Sequence, residues 1–60
     1  MNRNAKYLIL KNPIDGRFKL VYNKPDATAY DPCIVDGETI NDVLWDAQAW
    51  FDIRPSEVEL

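Results

Sequence analysis

Two short β-forming runs separated by a strong turn signal place the first constraint on this chain. Lys6 to Lys11 (KYLILK) and Arg17 to Tyr22 (RFKLVY) have strand length and strand composition. Between them lies Asn12-Pro13-Ile14-Asp15-Gly16, where Pro fixes φ and Gly takes a positive φ after Asp. The pattern predicts an antiparallel hairpin. On its second strand the period of two puts Phe18, Leu20 and Tyr22 on one face and Arg17, Lys19 and Val21 on the other.

A helix follows later in the chain. Thr39-x-x-Asp42 approximates a capping box, with Asp as a shorter stand-in for Glu, and Glu38 and Asp42 suit the positive end of the helix dipole. At 100° per residue, Ile40, Val43, Leu44, Ala47 and Phe51 fall within about 60° of one direction, with Trp50 at the edge of that stripe. Pro55 limits the helix to about Asp52 or Ile53. Ser56 to Leu60 (SEVEL) alternates and reads as a last strand. Between hairpin and helix, the spacing predicts one irregular third strand within Thr28–Val35, closed by Asp36-Gly37. Met1 to Ala5 reads as a frayed start. The expected architecture is one α+β domain over residues 1–60. It is a small antiparallel sheet of three or four strands with one helix packed on one face, in the order β-β-(β)-α-β.

Composition narrows the chemistry. A chain of 60 residues hides only ~60% of its unfolded surface, so a deep substrate cavity would compete with the core for the same side chains. With no His there is no imidazole base, no Ser-His or Cys-His pair, and little basis for a zinc site. Cys33 is the single cysteine, which excludes an internal disulfide and is expected to be a half-buried packing thiol. Neither a P-loop nor an EF-hand pattern is present. The expectation is a protein that is not an enzyme and has no cofactor or metal. The longest apolar run, Tyr7 to Leu10, is far short of a membrane span, and no apolar segment follows Arg3 and Lys6 as in a signal peptide. A cytoplasmic protein without a membrane partner is the matching expectation.

Charge is unevenly distributed. Residues 1–25 carry six basic side chains against Asp15 alone, a balance of +5, whereas residues 26–60 carry Arg54 against nine acids, a balance of -8. Either the halves attract each other within the fold, or they present complementary potential to a partner. On the helical wheel Trp45 sits about 140° from Ile40, away from the apolar stripe, among Asn41, Asp42, Asp46, Ala49 and Asp52. Either the 23–32 segment folds over it, or it is an interface anchor with a polar rim. Glu38, Asp42 and Asp46 recur every four residues and form either a solvated face or a docking surface for a basic partner.

From Tyr7 to Phe51 the landmarks resemble the HicB antitoxin domain: Tyr7, Asp15-Gly16, Phe18, Cys33, the Gly37-Glu38-Thr39 helix entry, Leu44 and Ala47. The stretch between Gly16 and Gly37 is longer than in that family, and Asp42-Val43 stands where Glu-Ala is usual. The resemblance implies a partial RNase-H-like fold without nuclease residues, used to mask a toxin. The element order also resembles that of the small inhibitors of bacterial RNA polymerase made by phages such as T7.

These readings converge on a small non-catalytic protein-binding module. The expectation is a phage- or prokaryote-encoded inhibitor or antitoxin that masks a larger partner, such as a toxin, a polymerase or a defence nuclease. Its site would be Trp45 with Glu38, Asp42, Asp46 and Asp52. One alternative is a nucleic-acid-binding or regulatory protein that uses Arg17 and Lys19 with Tyr7 and Tyr22 as stacking platforms, although the net charge of -3 opposes it. The other is a structural homodimer formed by strand-edge pairing.

Overall fold

The hairpin forms as its sequence dictates. In the computed structural model, which describes residues 5–59, β1 (Tyr7–Lys11) and β2 (Phe18–Tyr22) pair antiparallel from Tyr7↔Tyr22 to Lys11↔Phe18. Gly16 adopts φ 70°, and its N–H donates to the Asn12 carbonyl at 2.8 Å. The Asn12 side chain accepts from Ile14 N–H, and Asp15 accepts from Arg17 N–H. Each residue of the turn signal therefore has a defined hydrogen-bonding or conformational task.

The third strand, β3 (Val35–Gly37), lies later than expected. It pairs antiparallel with β2 from Phe18↔Gly37 to Leu20↔Val35, so Asp36 and Gly37 belong to the sheet rather than to a closing turn. The preceding residues make local turns instead. Ala27 and Asp31 donate from their backbones to Lys24 and Thr28, and the Asp31 carboxylate accepts from the Thr28 N–H and hydroxyl. Pro25 and Pro32 supply no N–H to a ladder. Cys33 is exposed, which corrects the expectation of a packed thiol.

Thr39 caps α1 (Ile40–Phe51) in extended conformation, and its hydroxyl accepts from Asp42 N–H at 3.1 Å. At the other end Asp52 takes a left-handed conformation (φ 54°), and Ile53 turns back to donate its N–H to the Ala47 carbonyl. That reversal corrects the apolar stripe. Ile53 enters the core, whereas Phe51 is 51% exposed and Trp50 72%. A 3-10 turn (Pro55–Glu57) leads into β4 (Val58–Glu59). The strand lies parallel to β1 (Tyr7↔Val58, Leu8↔Glu59), so the sheet is mixed, in the order β3-β2-β1-β4. The chain is pinned from Ala5 onward. Ala5 is buried and accepts from the Asn23 side chain, and Lys6 N–H donates to Glu57 O. Expected fraying of Met1 to Asn4, and Leu60 as the end of the last strand, lie outside the described residues.

The result is a small α+β fold with one helix on one sheet face. Ile9, Leu20, Val35 and Val58 meet Val43, Ala47 and Ile53 in the core, with Tyr7, Phe18, Ile34, Ile40 and Leu44 at its margin. Leu20 and Val43 are fully buried, each contributing roughly 1.5–3 kcal/mol. Val21, on the opposite face by strand alternation, is also buried. No helix among the described residues is long and apolar enough to cross a membrane.

Close approach of α1 to β3 requires Gly37. A Cβ there would lie 3.0 Å from Asp42 Cβ and 3.3 Å from Val43 Cγ2, so these side chains in the first turn of the helix would have to give by a few tenths of an ångström. Gly37→Ala should therefore cost about 1–3 kcal/mol by urea unfolding. Thr39→Ala should cost about 1 kcal/mol through loss of the cap.

Candidate protein-binding face

Helix geometry decides what α1 presents to solvent. Val43 and Ala47 face the sheet, which turns Trp45 outward, where it is 70% exposed. The 23–34 segment does not cover it. Its turns are held locally by Thr28, Asp31 and an ion pair from Lys24 to Asp31 at 3.4 Å. Glu38, Asp42 and Asp52 are exposed, and Asp46 is half-buried. Among the described residues none of these four carboxylates forms an ion pair.

A shallow groove of about 170 Å³ runs along one flank of Trp45, lined by Asn41, Leu44, Trp45, Gln48 and Pro55. Leu44 is half-buried beneath it. The stop signal Pro55 is thus also part of a surface feature, because the chain reversal at Asp52 brings the 3-10 turn back beside the helix. The wheel shows Asn41, Leu44 and Gln48 sharing a flank, but nothing in the sequence places Pro55 against them. Trp45 therefore forms a ridge between an uncharged groove and an acidic strip made by Asp42 and Asp46.

The hairpin cations are spent elsewhere. Arg17 Nε donates to Asp36 Oδ2 at 2.9 Å, and Lys19 Nζ reaches Asp15 Oδ2 at 3.0 Å and Asp36 Oδ2 at 3.3 Å. The Lys19 side chain is only 13% exposed. Lys6 faces Glu57 at 3.9 Å, and Lys11 lies over the Phe18 ring at 5.8 Å. Tyr7 and Tyr22 pack with ring centroids 5.6 Å apart and planes tilted by 38°, on the sheet face that carries Leu20. Arg17 and Lys19 project from the other face. The four residues of the nucleic-acid alternative are therefore not brought together: cations and rings lie on opposite sides of the sheet, and both cations have acidic partners. The edge strands are three and two residues long among the described residues, a poor template for strand-edge pairing. No group of three or more acidic or Cys side chains among the described residues could hold a metal ion.

The ion network makes stability acid-sensitive. The Arg17 N–H, and then the Lys19 ammonium, hold the Asp15 carboxyl below its ordinary value. For Asp36, the Arg17 guanidinium and then Lys19 do the same. A depressed carboxylate stabilises the fold above the unfolded value, near pH ~4, and that contribution disappears as pH falls through the folded value. The thermal midpoint should hold steady down to about pH 4 and then fall. Asp36→Asn should lower the midpoint at neutral pH and flatten the acid limb, as followed by circular dichroism.

No family model, curated protein or solved structure matches this chain.

Proposed function

We propose that this chain is a small non-catalytic protein-binding module that masks a larger partner through the outer face of α1. Trp45 is the anchor, and Glu38, Asp42, Asp46 and Asp52 form its charged rim. One observation carries the reading: an indole 70% exposed on a helix whose carboxylates have no ion-pair partner among the described residues. A large aromatic ringed by polar groups is the composition of an interaction hot spot. Arg17 and Lys19 are matched by Asp15 and Asp36 within the fold, which leaves the carboxylates of Asp42, Asp46 and Asp52 without an ion-pair partner among the described residues. Their complement is a basic protein surface with an apolar recess. Proteins that handle nucleic acid present such surfaces, which fits a toxin, polymerase or defence nuclease as the masked partner. An inhibitor or antitoxin role of this kind also agrees with the HicB-like landmarks in the sequence. The absence of His from the sequence, and carboxylates spread over an open helix face rather than converging in a cleft, support a non-catalytic role.

The test is affinity capture from the source cell, identification of the retained protein, and calorimetry on the purified pair. Trp45→Ala should weaken that complex by about 2 kcal/mol or more while leaving the unfolding midpoint unchanged. Added salt should weaken it further by slowing association. If Trp45→Ala reduces folding stability as much as binding, or leaves binding intact, the reading is rejected.

A further inference from the structure

We propose that the groove beside Trp45 receives a proline-rich segment in polyproline II conformation, flanked by Lys or Arg. The proposal rests on the protein-binding reading above and names the chemistry of what docks there. At about 170 Å³ the groove is smaller than the ~300–1,000 Å³ of a small-molecule site, and it opens to solvent. Its apolar surface comes from the Trp45 indole, Leu44 and the Pro55 ring, the kind of platform on which pyrrolidine rings stack.

The two amides select the conformation. Asn41 and Gln48 both line the groove, and neither side chain has a hydrogen-bond partner among the described residues. Seven helical residues separate them by about 10.5 Å along the axis and only about 20° around it. A polyproline II chain repeats its carbonyls every three residues, about 9.3 Å apart, and leaves them unpaired. An extended strand repeats on one side at about 6.8 Å, which does not match. A docked α-helix has already used its carbonyls internally. The rise between the two helix positions therefore comes within about 1.2 Å of one polyproline II turn, close enough for flexible amide side chains to bridge, with Trp45 and Leu44 between them. The acidic strip of Asp42 and Asp46 across the Trp45 ridge, with Asp52 at the helix end, supplies counter-charge for basic residues flanking the prolines.

A synthetic peptide with a Pro-Pro-Ala-Pro-Pro core between lysines is titrated into the ¹⁵N-labelled full chain. Two comparison peptides replace the prolines by alanine or the lysines by glutamate. The first peptide should move the side-chain amide signals of Asn41 and Gln48 and the Trp45 indole N–H, while leaving the Trp50 indole in place. Each comparison peptide should bind at least about tenfold more weakly. Asn41→Ala combined with Gln48→Ala should cost a similar factor with the helical circular dichroism unchanged. Equal binding of the alanine peptide, shifts centred on Trp50 or the hairpin, or no shifts at millimolar peptide would overturn the proposal. Those results leave the Trp45→Ala loss of the natural partner intact. Conversely, a natural complex indifferent to Trp45→Ala sinks the broader reading whatever the peptides do.

Discussion

The contact on which this structure turns is the approach of α1 to β3 at Gly37. With no side chain there, Val43 can reach the sheet and bury itself completely against the seam that includes Leu20 and Val35. Thr39 fixes where the helix begins, and Gly37 fixes how close it lies. Together they set its rotation. Once Val43 and Ala47 face inward, the 100° step leaves Trp45 nowhere to go but outward. The exposed indole is thus a consequence of the core, not a defect in it.

Charge follows the same logic of position. Arg17 and Lys19 leave the hairpin on the face away from the core, where Asp15 in the turn and Asp36 in β3 meet them. These pairs are partly exposed, and each contributes little to stability alone. Their larger effect is on the distribution of potential. They engage Arg17 and Lys19 away from α1, so Asp42 and Asp46 beside Trp45 keep their charge without an ion-pair partner among the described residues. The field of these two carboxylates speeds encounter with a basic surface and rejects acidic ones, and the apolar ridge and groove hold what arrives.

The last segment shows how one local event builds both fold and surface. The left-handed turn at Asp52 ends α1 directly after the exposed Phe51 and sends Ile53 into the core. The reversal returns the chain beside the helix, where Pro55 walls the groove, and delivers Val58 to pair parallel with the start of β1. A two-residue strand is a weak element by itself. It is held by the buried Val58 and by the bond from Lys6 N–H to Glu57 O.

The sequence by itself determined the hairpin, the capped helix, the inward stripe of Val43 and Ala47 and the outward direction of Trp45. All of these follow from turn chemistry and from periods of two and 3.6, which act over a few neighbouring residues. Only the tertiary structure decided that the third strand is Val35–Gly37, that the last strand runs parallel to the first, that Phe51 gives way to Ile53, and that Cys33 is exposed. It also decided which acids neutralise the hairpin and that Pro55 lies beside Trp45. Those outcomes depend on pairing register, on the direction of a chain reversal and on contacts between residues distant in sequence, for which a short periodic pattern carries no information.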